Sequence, residues 1–334
     1  MNAGMLRHPC APRDSFSVSA RKRAMPTQSF ASFEAFFDAN RHASLRAMVL
    51  GPECGTWDLT NLIVNKLSVQ FAQAGTKAVV DGSPQPGGVS IFLLTEGLSA
   101  MSGNGQRFDE VSMLVAWPGD EFCIAADSWR RWCSLYIPNE LLAGTSEGAL
   151  VATGSMHGVL RLPLHRIARF RSAIQQFDES VQHAPDAYRS AAAQKAAQQK
   201  LVPQILDVLA MPRDVEPKPG RNVVPRNQII RRSMEFVEQH DGEYISVEQL
   251  ATAADVSERT LRDAFQHYFG LAPVRYLNRR TLHQVRRALK AADPTVATVT
   301  GIATQFGVWE LGRFARDYRF LFGELPSETL RLQY

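Results

Sequence analysis

Arg259, Arg262, Asp263 and Gln266 fall at i, i+3, i+4 and i+7, the spacing that puts side chains on one face of an α-helix. Arginine forks and glutamine amides can each form paired hydrogen bonds with the edge of a guanine or an adenine in the major groove. An acid such as Asp263 among them bears on which base is read. Without nucleic acid, the same stripe is the solvated side of an ordinary bundle helix. What surrounds the stripe separates the two readings.

The surroundings repeat. Ala251 in ISVEQLATAADVS answers to Ala303 in VTGIATQFGVW, and Val256 answers to Val308 at the same offset. One extra residue enters in the turn, after which Leu261 matches Phe314, Phe265 matches Tyr318, Gly270 matches Gly323 and Pro273 matches Pro326. Such self-similarity marks an internal duplication. Each copy reads as a short helix, a tight turn and a second helix. In the first copy Leu250 and Ala251 face inward. Asp255 takes the turn position that favours a left-handed residue, filled by Gly307 in the second copy. Ser257 is suited to cap the next helix, with Leu261, Phe265 and Tyr268 as its buried stripe. Gly270 closes that helix and Pro273 opens another.

A polar face on the second helix of such a motif suits the major groove. The first copy offers Ser257, Glu258, Arg259, Arg262, Asp263 and Gln266. The second offers Glu310, Leu311, Arg313, Ala315, Arg316 and Arg319. Between the copies, residues 274–291 read as an arginine-rich helix that would span roughly 27 Å at about 1.5 Å per residue. With the motifs at its ends, the two polar faces could lie about one duplex turn apart, ~34 Å.

Two helix-turn-helix motifs joined by a long helix and ending in LGRFARDYRFLFGELPSETLR resemble the C-terminal domain of AraC/XylS-type transcription regulators. The resemblance covers about the last hundred residues. It implies double-stranded promoter DNA and RNA polymerase as partners, activation rather than repression, and a homodimer. Its GELPSETL ending is most similar to the branch answering to aromatic acids or small amines. Asp255 departs from the family's usual Gly, and Asp263 stands where Arg is frequent.

Upstream, LRAMVLG, NLIVNKLSVQFA, KAVVDG, GVSIFLLTEG, VSMLVAWPGD, EFCIAAD and RWCSLYIP are short β-rich runs punctuated by turn residues, which predicts a small barrel or sandwich. Pro118-Gly119 predicts a type II turn. A barrel in this position resembles the family's cupin-like effector domain. The expected fold is therefore α+β: an N-terminal cupin-like β-barrel with flanking helices, then an all-α domain. Phe92, Trp117, Phe122, Trp132 and Tyr136 are candidates to line an effector site, though any one ring is more readily plain core. Arg41 and Arg46, with Lys66, Lys77 and Arg107, are the nearby cations that an acid would need. Nothing in the sequence chooses among them.

No histidine falls between His42 and His157, and the carboxylates there lack ligand spacing, so neither a metal nor a cofactor is expected. A phosphate loop and a GxSxG elbow are absent from the sequence. An enzyme or DNA-repair protein carrying a DNA-binding appendage is the alternative reading; it would call for a reactive cysteine or a metal. Four cysteines without CxxC spacing, and the lack of any long apolar run or secretory signal, lead to an expected cytoplasmic location without membrane contact. The net charge of +4 in 334 residues is mild, so the case for DNA rests on where the arginines fall.

The predicted organisation is an unstructured tail over 1–27 (with Met25 as a competing start), an effector-binding and dimerisation domain over 28–210, a proline-rich spacer over 211–225 and a DNA-binding domain over 226–334. Two helices between Pro163 and Ala210 could cover the barrel or pair with a second subunit, and the family resemblance favours pairing.

Overall fold

The computed structural model describes residues 27–40, 43–52, 57–98, 101–143, 158–210 and 226–331. The predicted spacer over 211–225, all but the last residue of the predicted tail, and Arg41 lie outside the described residues.

The N-terminal part is built from two antiparallel sheets. Seven strands form the first, in the spatial order β1 (Gln28–Phe30), β3 (Trp57–Val64), β4 (Leu67–Ala74), β11 (Arg130–Pro138), β6 (Gly88–Glu96), β9 (Ser112–Ala116) and β12 (Gly158–Arg161). The second runs β2 (Ala43–Val49), β5 (Ala78–Pro84), β10 (Phe122–Ala126), β7 (Met101–Gly103) and β8 (Gln106–Arg107). Among the described residues no ladder joins them. The expected closed barrel is therefore corrected to two separate sheets, held together by side chains rather than by continuous backbone pairing. The turn at Pro118-Gly119 forms as expected: Gly119 has φ 90° and Asp120 N–H donates to the Trp117 carbonyl at 2.9 Å.

Strand alternation divides the apolar residues between two cores. One face of the seven-stranded sheet, including Val69, Ile91, Val115 and Leu135, packs under two helices. These are α3 (Leu164–His183) and α4 (Ala191–Leu209), which follow α1 (Phe33–Asp38) and α2 (Asn139–Leu142). Ile167, Phe170, Ile174, Phe177 and Val181 are all buried there, the stripe that the three- and four-residue steps predict. These helices thus cover the sheet. The opposite face, with Trp57, Leu94, Leu114 and Trp132, belongs to the second core together with α1.

The C-terminal part is all helical: α5 (Arg226–Gln239), α6 (Val247–Ala253), α7 (Glu258–Phe269), α8 (Pro273–Ala291), α9 (Val299–Gln305), α10 (Leu311–Phe322) and α11 (Pro326–Arg331). The local signals act as read. Ser246 and Gln249 form a reciprocal capping box, and the Ser257 hydroxyl accepts from Thr260 N–H. Gly270 and Gly323 end α7 and α10 in the left-handed region, and Pro273 and Pro326 start the helices that follow. None of the helices among the described residues is long and apolar enough to cross a membrane.

Candidate nucleic-acid interface and cavity

Each motif holds its second helix by a buried stripe. Leu261, Phe265 and Tyr268 fix α7; Phe314, Tyr318 and Leu321 fix α10. The turns before them are both left-handed, with φ 57° at Asp255 and 74° at Gly307. The two positions differ in their room. A Cβ at Gly307 would lie 3.2 Å from the Tyr244 side chain, whereas the Asp255 side chain is 90% exposed, near Arg232. Asp is thus accommodated in the first copy, where nothing crowds it.

Rotation about these stripes turns Ser257, Glu258, Arg259, Arg262, Asp263 and Gln266 to the exposed side of α7. None of Arg259, Arg262 and Asp263 has an ion-pair partner among the described residues. On α10 and at its start the arrangement differs. Glu310, Arg313, Arg316 and Arg319 are exposed, while Leu311 and Ala315 are half-buried. Arg313 lies 3.7 Å from Glu310 and 3.8 Å from Asp317, and Arg316 lies 3.6 Å from Asp317. The first helix presents unengaged guanidinium groups; the second presents arginines partly neutralised by their neighbours. Reading the sequence as a polar stripe missed Trp309, which is 79% exposed just ahead of α10. Its signal was a large indole one residue ahead of Glu310, the residue at the N-cap position that Ser257 fills in the first copy.

The connecting helix α8 does more than space the motifs. Its Arg280 donates to the carbonyls of Val237 and His240 and to Asp241, all at 3.0 Å, closing the end of α5. Arg286 is paired with Glu324 at 3.2 Å and with Glu34 of α1 at 3.4 Å, and Lys290 also binds Glu34. Burial pushes the Glu34 carboxyl up, but the Lys290 hydrogen bond and the Arg286 charge outweigh it and hold the group below its ordinary range. His283 Nε2 lies 3.2 Å from the Val49 carbonyl, and burial pulls this imidazole down to about 4. Leu50 and Val79 enter the core of the first motif. At the β7–β8 hairpin tip, a Cβ on Gly105 would come within 2.7 Å of the Tyr268 ring. The helical part thus packs on the outer side of the five-stranded sheet.

Inside the N-terminal part lies a cavity of about 90 Å³, walled by α1 and both sheets. Three of the seven candidate effector residues line it: Phe92, Phe122 and Trp132. Of the others, Arg46, Trp117 and Tyr136 fall elsewhere. Arg46 neighbours the lining residue Leu45 but alternates to the outer face, where it pairs with Asp81 at 2.8 Å and Glu238 of α5 at 2.5 Å. Trp117 falls in the core beneath α3 and α4. Tyr136 is not in the lining, and its hydroxyl donates to the Pro86 carbonyl at 2.8 Å. Arg41 lies outside the described residues. Lys66 pairs with Glu140, and Arg107 with Asp127. Sequence reasoning overlooked Phe33, Phe36 and Phe37 of α1, and Arg130 at the start of β11, all of which line the cavity. Burial brings the Arg130 guanidinium down to about 10. The buried Ser90 hydroxyl, also in the lining, has no hydrogen-bond partner among the described residues.

A helix-turn-helix domain family matches residues 250–332. The XylDLEGF operon transcriptional activator 2 of Pseudomonas putida is 38% identical over 112 residues, 34% of this chain and 71% of that protein. Another XylDLEGF operon transcriptional activator of Pseudomonas putida is 40% identical over 105 residues, so the match spans only 33% of its length and 31% of this chain. Among solved structures, a probable AraC family transcriptional regulator from Rhodopseudomonas palustris CGA009 is 37% identical, covering 31% of this chain and 96% of that one, with a TM-score of 0.29.

Proposed function

The chain belongs to the AraC/XylS family of transcription regulators, and on that premise we propose that it is a sequence-specific DNA-binding activator controlled by a small molecule. The observation that carries the reading is the duplicated motif: both second helices bury one stripe and leave a polar, arginine-bearing face outward. The first face reads base edges and the second mainly adds backbone affinity. The effector enters the cavity under α1, and residues 28–210 form the unit that senses it. Residues 211–225 then join this unit to the DNA-binding part at 226–334. Dimerisation through the outer sides of α3 and α4, and contact with RNA polymerase, complete the proposal. Its test is binding of the full chain to duplex DNA over a range of salt, alongside a reporter under a bound promoter. Specific retention of one duplex over its scrambled version supports the reading. Equal retention of both contradicts it.

A further inference from the structure

The second motif is one residue longer than the first, and the extra residue is Trp309. Val256 is followed directly by the cap Ser257, whereas Val308 is followed by Trp309 and only then by Glu310, the N-cap of α10. The indole is 79% exposed. Among the described residues its ring meets no other ring and its N–H finds no acceptor. An apolar surface left in water contributes nothing to holding the fold together.

Three residues on, Gly312 stands where the first copy has Arg259, in the register that matches Leu261 with Phe314. It is exposed, and a Cβ built on it would meet nothing within 4 Å. No packing calls for a glycine there, and a helical glycine is less stable than an alanine. The start of α10 has therefore gained a ring and lost an arginine.

The first residues of the second helix are the part of such a motif that meets base edges in the major groove. Arg259 offers paired donors to a guanine; an indole offers a flat apolar face. The groove presents donors and acceptors, and its one apolar group is the C5-methyl of thymine. Arg313, Arg316 and Arg319 are exposed on the same helix. Their charge favours phosphates over an apolar protein surface as the neighbour of this ring.

We infer that Trp309 determines specificity, its indole packing on the methyl of one thymine in the half of the site that α10 faces. This rests on the DNA-binding reading above and adds a base contact to it. One buried methyl is worth about fourfold in affinity. That is less than a good paired hydrogen bond gives, so α7 still carries most of the base preference.

The test takes a duplex that the full chain retains specifically and replaces its thymines by deoxyuridine one at a time. This removes the methyl and keeps the hydrogen bonds of the base pair. For the unaltered chain, one position outside the block that Arg259→Ala blurs should bind about fourfold more weakly. Trp309→Ala should bind the thymine and uracil duplexes alike. Trp309→Phe, which keeps an apolar ring, should retain the uracil effect, and melts of both variants check that they fold. Thymine and uracil bound alike by the unaltered chain, or a uracil effect that survives in Trp309→Ala, overturns the contact while specific binding stands. So does a Trp309→Ala protein that binds DNA normally and fails only in the reporter, which assigns the ring to a protein partner. Equal retention of the duplex and its scrambled version by the unaltered chain removes the regulator reading, and the contact with it.

Discussion

Glu34 of α1 binds Arg286 of α8 at 3.4 Å across 252 residues of sequence. The helix that carries this acid also walls the cavity with Phe33, Phe36 and Phe37. A single short helix therefore touches both the cavity and the helix that joins the two helix-turn-helix motifs. Glu34→Gln keeps the volume but removes the charge answering Arg286 and Lys290. Arg286 retains Glu324, so the expected loss in stability is about 1 kcal/mol, seen in denaturant melts. Hydrogen exchange should show faster opening of α1 with α10 unchanged. An unaltered exchange rate in α1 would show that this pair does not hold the two parts together.

The two second helices should respond differently to losing an arginine. Arg259→Ala is expected to relax base preference in one half of the binding site, at a cost of about 1–3 kcal/mol for the preferred base. Arg313 is already shared between Glu310 and Asp317. Arg313→Ala should weaken binding to all sequences alike, lowering the salt dependence by no more than about one phosphate contact. Binding to duplexes altered one base pair at a time, at several salt concentrations, separates the two. Greater base sensitivity on the α10 side would reverse the assignment.

The turn positions predict an asymmetry in stability. Gly307→Ala combines a left-handed φ with a Cβ pressed against Tyr244, so it should destabilise by about 1–2 kcal/mol. Asp255→Gly, at an uncrowded site, should change stability by no more than about 0.5 kcal/mol. Thermal melts of the two variants check this. Equal costs would show that crowding at Tyr244 is not what distinguishes the copies.

His283 gives the interface a pH dependence. Its folded value of about 4 lies below the ordinary value of 6.5, so the unfolded chain binds the extra proton first. Stability is thus fully present above about pH 6.5, falls as the pH drops towards about 4, and loses up to about 3 kcal/mol. Glu34, with a lowered value, adds a loss at still lower pH. Asp81, raised by burial, acts in the opposite sense. Arg286 and Arg287 near the ring add to the cost of protonating it. Melts from pH 7.5 to 4.5 should lose this slope in His283→Gln. A slope that persists in the variant assigns the effect elsewhere.

The helical part was legible because its signals are local. Leu261, Phe265 and Tyr268 mark a face by spacing alone, and Gly270 with Pro273 mark an end by backbone geometry. The cavity was not legible in the same way. Trp117 and Phe92 are equally aromatic in β-rich runs, and only sheet register puts one beneath the helices and the other in the cavity. Arg46 was a reasonable candidate by neighbourhood, yet a single step of alternation aims it at Glu238. Arg130 went unnoticed because nothing in RRWCSLYIP says which of its arginines turns inward. Arg131, the next residue, pairs with Asp178 of α3 instead.

Selection from a random duplex library by the full chain reads the base preference of both helix-turn-helix motifs at once. Enrichment of one sequence with two conserved blocks centred about 10–10.5 base pairs apart is expected. The block facing α7 should carry the greater base information, with Arg259→Ala blurring that block alone. Recovery of unenriched DNA, or of a single block insensitive to Arg259→Ala, would contradict it.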